Sequence, residues 1–485
     1  MAREILTVAQ MAASDRAAAE AGTPTTVLME RAGAAVAQAV LDRFTRRPVV
    51  VWCGPGDNGG DGYVAARFLR DAGWPVRVEA SAPPASAAGK WAAEAWSREV
   101  GALNPEPVEG PLYLDCLFGS GLSRPLEGEV DRLARSMAGR GREIVAVDVP
   151  SGLSGDTGRP LGERALEAGL TVTFHRRKPA HVLSAGRAAC GEVVVADIGL
   201  ETAPNIEPKL FENDPDLWAH RFPWPGADAH KHARGRLMVV SGEAWSTGAA
   251  RLAARAGLRI GAGVVTVLSP TGALAVNAAH LEAVMLAPFD NEDELAARAE
   301  AAHALVIGPA AGVGEATARN LSAAARTGAA LVVDADALTS FAHDLDGLFS
   351  MLDRDDVLTP HPGEFERVFP GLLAGSPERI AAARAAAARA GAVVLLKGSD
   401  TVVAAPDGRA AVSLNGTPWL ATAGSGDVLA GFIGGLVAQG MDSFEAACAG
   451  AWIHAQAGAA YGPGLIAEDL PGLAPAVLAG LYAGR

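Results

Sequence analysis

Cysteine is scarce in this 485-residue chain: Cys53, Cys116, Cys190 and Cys448 are the only four, and they lie far apart. No pair has metal-ligand or C-x-x-C spacing, which removes a disulfide framework and a thiolate metal site and points to a reducing cytoplasm. Long apolar runs are missing too. Nowhere do 18 apolar residues run on without glycine or charge, and the opening MAREILTVAQMAASDRAAAEAG has no apolar stretch of signal-peptide length. A soluble cytoplasmic protein with no membrane partner is expected. Positive charge is in deficit, 41 Lys and Arg against 55 Asp and Glu, for a formal net charge of -14. That argues against nucleic acid or anionic lipid as a partner. Any phosphate must be held by local backbone geometry and a few cations, which leaves phosphate-bearing small molecules open.

Hydrophobic residues reach 49% with only 20% charged, a balance that suits sheets covered by helices on both faces. At roughly 100–200 residues per domain the length suggests two large domains or three small ones. Residues 26–44 (TVLMERAGAAVAQAVLDRF) have the spacing of an amphipathic helix. The strand RPVVVWCG, the helix YVAARFLRDAG and the strand PVRVEA follow, then strands at PLYLDCLFG, REIVAVDVPSG, LTVTF and EVVVADIG. Such alternation predicts a parallel, doubly wound α/β sheet of Rossmann type, with helix layers on both sides. From 201 to 226 the text turns to Pro and Asn without a sustained period. Domains at 1–212 and 226–485, joined by a linker at 213–225, are therefore expected. A second alternating series runs from GRLMVVSG to AVVLLKGSD, then TVVAAPDGRAAVSL, where Asp407-Gly408 reads as a hairpin turn. The alanine-rich stretch 381–390 reads as helix surface, and the C-terminal region as helical.

Residues 53–69, CGPGDNGGDGYVAARFL, spell G-x-G-x-x-G with Gly54, Gly56 and Gly59, and Glu79 lies 20 residues beyond Gly59. Following a strand and opening a helix, this fits the phosphate loop of a dinucleotide-dependent dehydrogenase. Asp57 and Asp61 weigh against it, because two carboxylates in the loop would repel a pyrophosphate unless a cation lay between. A plainer reading has Asp61 capping the helix and Asn58 in a left-handed turn. Two further strand ends, YLDCLFGSGLSRP with Asp115 and AVDVPSGL with Asp148 and Ser151, would open on the same carboxyl edge.

In the second half, TAGSGDVLAG sets Asp427 in the first turn of a helix behind a glycine turn. Backbone N–H groups there can receive a developing anion while the carboxylate takes a proton from a hydroxyl, as phosphoryl transfer to an alcohol requires. The plainer reading is an N-cap Asp. LLKGSDT adds Lys397 and Thr401 at a strand end, and TPHPGE places His361 and Glu364 on a turn fixed by two prolines.

CGPGDNGGDG, LDCLFGSGL and VDVPSGL together resemble the NAD(P)H-hydrate epimerase domain over about residues 1–212. HKHARGRLMVVSG, GLRIGAGVVTV, DADAL, TPHPGE, KGSDT and AGSGDVLAG resemble the ribokinase-like NAD(P)H-hydrate dehydratase domain over about 226–485. The first resemblance implies a potassium ion held by Asn58, Asp115 and Ser151, with Asp148 as acid/base. It also implies a nucleotide site lined by Asp57, Asn58, Gly59, Gly60 and Asp61, by Gly119, Ser120, Gly121, Leu122, Ser123, Arg124 and Pro125, and by Asp148. The second implies Lys397, Gly398, Ser399, Asp400, Thr401 and Gly426 around an adenine nucleotide. Ala262, Gly312, His361 and Asp427 would contact the hydrated cofactor. Asp57 stands where the family has asparagine, GPAAGVG where it has Gly-Pro-Gly-Leu-Gly, and HKHARG where it has His-Lys-Gly-Asp-Phe-Gly.

The implied function is repair of NADHX and NADPHX, the hydrated forms of NADH and NADPH: epimerisation of the R and S forms, then dehydration of the S form. ADP, with ATP as alternative, would be the phosphoryl donor, magnesium would accompany it, and a homo-oligomer is expected. Rival readings are a vitamin or sugar kinase with a nucleotide-binding N-terminal domain, a non-enzymatic nucleotide sensor or scaffold in that domain, and the dehydrogenase.

Overall fold

The runs VVVWC, LYLDC and IVAV are apolar at almost every position, so they can be accommodated only by burial on both faces. In the computed structural model, which describes residues 3–375 and 378–484, all three are buried along their whole length. They belong to a unit formed by Glu4–Pro208. Its strands are β1 (Val49–Cys53), β2 (Val76–Ala80), β3 (Val100–Ala102), β4 (Leu112–Cys116), β5 (Ile144–Val147), β6 (Leu170–Phe174) and β7 (Glu192–Ala196). All pair in parallel, in the order β3-β2-β1-β4-β5-β6-β7. Alternate residues of β1 enter two separate cores. Val49, Val51 and Cys53 pack with Val36 and Val40 of the helix Thr25–Arg43. Val50 and Trp52 pack with Val130 and Leu133 of the helix Gly128–Ser136. A three-layer α/β sandwich results.

The second unit comprises Met1–Arg3 and Lys209–Arg485, of which the described part holds a ten-stranded sheet. Its strands are β8 (Leu210–Glu212), β9 (Arg236–Val240), β10 (Val264–Pro270), β11 (Met285–Phe289), β12 (Ala304–Ile307), β13 (Ala330–Val333), β14 (Val357–Leu358), β15 (Val393–Leu396), β16 (Val402–Ala404) and β17 (Ala410–Val412). Their order is β11-β10-β9-β12-β13-β14-β15-β16-β17-β8. Pairing is parallel except at β15–β16 and β16–β17. The second exception is the Asp407-Gly408 hairpin, with Gly408 at φ +88.

Two expectations need restating. Residues 213–225, expected as a linker, lie within the second unit. Trp218 is fully buried there and donates Nε1–H to Asn213 Oδ1 at 3.1 Å, while Asn213 Nδ2 donates to Ser413 Oγ and to the Cys448 carbonyl. The alanine-rich stretch is a helix, Arg379–Ala390, but Ala382, Ala383, Ala386, Ala387 and Ala390 are buried rather than exposed. Small side chains there let the helix lie close to the sheet. The same economy governs the helix Ser425–Ala438: a Cβ on Gly431 would lie 2.1 Å from the Ala253 carbonyl oxygen, so only glycine permits this approach to the helix Gly248–Arg259. No helix among the described residues is long and apolar enough to cross a membrane.

Candidate active sites

In the first unit the three expected turns open at the carboxyl ends of β1, β4 and β5, where the strand order reverses between β1 and β4. Ligands bind at such reversals. A cleft of 540 Å³ lies there, lined by Asp57, Asn58, Asp61, Gly119, Ser120, Gly121, Leu122 and Asp148 among others. Gly59 and Gly60 are buried outside its lining, and Ser123, Arg124 and Pro125 are exposed beyond it. Residues 57–61 form the first turn of the helix Asp57–Asp71, whose N-cap is Gly56 without a side-chain cap. Asp61 therefore does not cap a later helix, and Asn58 is not left-handed. Burial, with the Asp148, Asp57 and Asp15 carboxylates adding to it, pushes the Asp61 carboxyl well above the usual range. Glu79, the ribose-binding acid of a dehydrogenase, is buried and engaged by Arg77 and the Asn104 N–H.

Asp148 is the centre of this site. Its φ of 68° is left-handed, a strained value for a residue other than glycine. Oδ2 accepts from the Ser120 N–H at 2.8 Å and Oδ1 from Thr173 Oγ1 at 3.1 Å. Lys178, 2% exposed, places Nζ 2.8 Å from Asp148 Oδ1 and donates to Thr173 Oγ1 at 2.8 Å. Burial alone would raise the Asp148 carboxyl; the Lys178 ammonium and the Ser120 N–H override it and hold the group far below the carboxylate range. His181 is held neutral, its Nε2–H directed at the Asp148 carbonyl at 2.8 Å and its Nδ1 accepting the Lys178 N–H at 2.9 Å. Burial and Lys178 lower its pKa to about 3. A Cβ on Gly119 would lie 2.9 Å from Asp148 Oδ2 and 3.3 Å from Asn58 Oδ1, so glycine is what lets the second turn close over both.

Asp115 and Ser151 lie outside the cleft lining and are fully buried. Asp115 Oδ2 accepts the Ser151 N–H at 2.7 Å, and Oδ1 lies 2.6 Å from Ser151 Oγ. Ser151 Oγ also accepts the Phe118 N–H at 2.9 Å. Burial raises Asp115 to about 6, against hydrogen bonds that lower it, and no basic side chain is among the groups acting on it. In the cleft lining, the buried amide nitrogen of Asn58 has no hydrogen-bond partner. A buried carboxylate on which no basic side chain acts fits a hard monovalent cation held by oxygen; the orphaned Asn58 atom is a donor, so of that side chain only Oδ1 could ligate one. Among the described residues no cluster of three or more His, Cys, Asp or Glu could hold a metal ion.

In the second unit, Asp334 at the end of β13, Lys397 at the end of β15 and Asp427 converge. Lys397 Nζ lies 2.8 Å from Asp334 Oδ1 and 3.8 Å from Glu364 Oε2. A Cβ on Gly426 would be 3.5 Å from Lys397 Nζ and 3.8 Å from Asp334 Oδ2. The helix Ser425–Ala438 begins at Gly424, at φ 86°, with no side-chain cap, so Asp427 is not an N-cap. Burial, then the Asp334 charge, raise Asp427 to about 6 although Lys397 pulls the other way. His361 caps its own helix, Pro362–Val368, Nδ1 accepting the Gly363 N–H at 2.9 Å and Nε2 lying 3.2 Å from Glu364 Oε1. The Gly312 N–H donates to Asp336 Oδ2 at 2.9 Å, and Asp336 also raises Asp427.

Ala262 does not join this cluster. It precedes β10 and is buried on the amino edge, while Gln439, beyond the far end of the Asp427 helix, donates Nε2 to the neighbouring Ile260 carbonyl. Fourteen helical residues, about 21 Å, separate the two ends. In the turn 398–401, Asp400 points inward to Arg379 at 2.9 Å, and Thr401 Oγ1 bonds the Gly398 backbone; Gly398 and Ser399 stay at the surface.

Lys178, Asp334 and Arg379 escaped the sequence reading. Asp334 had a signal in DADAL, directly after an apolar strand; Lys178 had only a lysine fixed between Arg177 and Pro179.

Residues 25–180 match the family described as YjeF-related protein N-terminus, and residues 237–465 the family NAD(P)H-hydrate dehydratase. The chain is 35% identical to the bifunctional NAD(P)H-hydrate repair enzyme of Thermofilum pendens over 94% of this chain and 91% of that one. It is 37% identical to the protein of the same name from Mycobacterium tuberculosis over 88% of each. A ribokinase-like superfamily protein of Enterococcus faecalis aligns with TM-score 0.51 and 22% identity, over 57% of this chain and 98% of that one, a likeness of fold.

Proposed function

This chain belongs to the family of bifunctional NAD(P)H-hydrate repair enzymes, and on that premise we propose which residues carry each half of the work. It interconverts the R and S forms of hydrated NADH and NADPH and returns the S form to NADH or NADPH. The kinase alternative leaves the first unit without a task.

The observation that carries the assignment is a pair of carboxylates, one in each unit, whose pKa values are shifted in opposite directions. Hydration leaves a hydroxyl on C6 of the nicotinamide ring beside the ring nitrogen. Configuration is lost when that nitrogen's lone pair expels the hydroxyl as water and water returns on either face. Asp148, kept ionised by Lys178, takes the proton of the returning water; the ammonium beside it is placed to supply the departing one. Asn58, Asp115 and Ser151 would hold potassium, which supplies fixed positive charge near the acidic loop and so lets a dinucleotide diphosphate approach Asp57 and Asp61.

In the second unit Asp427, raised to about 6, takes the C6 hydroxyl proton as that oxygen attacks the terminal phosphorus of ADP, the bridging P–O bond breaks and AMP departs. Phosphate, unlike hydroxide, is a good leaving group. The ring nitrogen then expels it and loss of a C5 proton restores the reduced ring. Lys397 and the backbone N–H groups at the start of the helix Ser425–Ala438 face the charge that builds on the phosphoryl oxygens. Magnesium would be held chiefly by the nucleotide phosphates and supplies further charge neutralisation there. Supplying both epimers with ADP or with ATP and following the return of reduced-nicotinamide absorbance tests the reading. Complete conversion is expected; no recovery with either nucleotide would overturn it.

A further inference from the structure

The helix Gly248–Arg259 carries arginine at 251, 255 and 259, a four-residue spacing that lays three guanidinium groups along one face. Like charges so placed repel one another, and a chain of net charge -14 has carboxylates to spare. Yet among the described residues none of the three forms an ion pair, and the buried Nε of Arg251 has no hydrogen-bond partner. All three line a groove of 720 Å³, together with Leu252, Glu282 and Glu468. Three cations against two acids leave a positive excess in it. The groove adjoins the dehydratase site through its wall residue Leu252: a Cβ on Gly424 would stand 2.8 Å from Leu252 Cδ1 and 3.8 Å from Asp427 Oδ2. From Arg251 to Arg259 the helix rises about 12 Å, long enough to follow a diphosphate and a further phosphate beyond it.

We propose that this stripe is the subsite for the phosphates of the hydrated dinucleotide. Arg251 and Arg255, nearer Asp427, bind the diphosphate; Arg259, farthest along, meets the 2′-phosphate that distinguishes NADPHX from NADHX. Guanidinium suits both, since its forked donors match phosphate oxygens. The inference rests on the dehydratase assignment of the second unit.

Arg255 and Arg259 are exposed, so Arg255→Gln and Arg259→Gln leave the core intact. In the full-length chain Arg255→Gln is expected to raise KM for both hydrated cofactors about tenfold. Its kcat, its KM for ADP and its epimerase rate should stay at wild-type values. Arg259→Gln should raise KM for NADPHX and spare NADHX. Unchanged KM for the hydrated cofactors in both variants would overturn the subsite, and so would a rise confined to ADP. A wild-type chain that fails to dehydrate would contradict the assigned function instead. The subsite is then decided by calorimetric titration with NADPH: weakening of a binding event in Arg255→Gln supports it, and identical isotherms overturn it.

Discussion

Asp148 and Asp427 are both carboxylates at the carboxyl edge of a parallel sheet, and both are withdrawn from water, yet they are prepared for different work. Burial raises each. At Asp148 it is overridden by a lysine 2.8 Å away that is itself buried. At Asp427 the lysine is shared out first: Lys397 is bonded to Asp334 at 2.8 Å, and the Asp334 charge pushes Asp427 up, to about 6. The difference shows that the partner of a carboxylate's partner sets its state. One site keeps a base ionised at any working pH, and the other poises it near neutrality, where proton transfer from an alcohol is most effective.

The largest effect should come from removing the poised base. Asp427→Ala is expected to lower dehydration by about 10²–10⁴-fold with the epimerase rate untouched, measured in separate assays on the same preparation. Loss of both activities in a folded variant would break the comparison.

Next is the buried pair. Lys178→Met leaves Asp148 without its counter-charge and should cost about 3–5 kcal/mol, read from urea unfolding. The sign follows from linkage: a depressed carboxyl contributes stability above its unfolded pKa and loses it as pH falls through the folded value, so the deficit should shrink in acid. The epimerase should also acquire an acid limb that the wild type lacks.

The pH profiles sharpen the same contrast without mutation. Dehydratase activity should fall as pH drops through about 6, where Asp427 becomes protonated. Epimerase activity should show no Asp148 titration there, because that carboxyl stays ionised far below. A shared limb near 6 would contradict the distinction.

The smallest effect concerns Asp115. Its carboxyl is raised to about 6, so its stabilising contribution is complete below the unfolded pKa and is lost as pH rises through about 6. A cation beside it favours the ionised form. Replacing sodium by potassium should therefore raise the melting temperature above pH 6 by about 3 °C for each ~1 kcal/mol of binding, and by nothing near pH 4. An equal shift at both pH values would argue against Asp115 as a ligand.

Much of this was legible in the sequence because it depends on order along the chain. Continuous apolar runs alternating with helices dictate a parallel sheet, and a parallel sheet sends every strand-end turn to one edge, which is why the sequence alone groups Asn58, Asp115 and Asp148. The same rule, applied to Ala262, would have separated it from Asp427, since it precedes a strand instead of following one. Burial was the illegible part. Lys178 lies in RRKPAH, where nothing distinguishes a lysine sealed against Thr173 from one in solvent, and the resemblance assigned Lys397 to the nucleotide without revealing its bond to Asp334. Residues 213–225 read as a linker because Pro and Asn hide Trp218, whose burial depends on Asn213 and on strands far along the chain.

The central claim is that Asp148 and Asp427 do separate work, and one progress curve tests it. A mixture of both epimers of NADPHX is given to full-length Asp148→Asn with ADP, and the return of absorbance at the reduced-nicotinamide band is followed against wild type. Wild type should recover the whole amplitude. The variant should stop, on the enzymatic timescale, at the fraction present as the S form; full recovery at the wild-type rate, or none at all from a folded protein, would contradict the account.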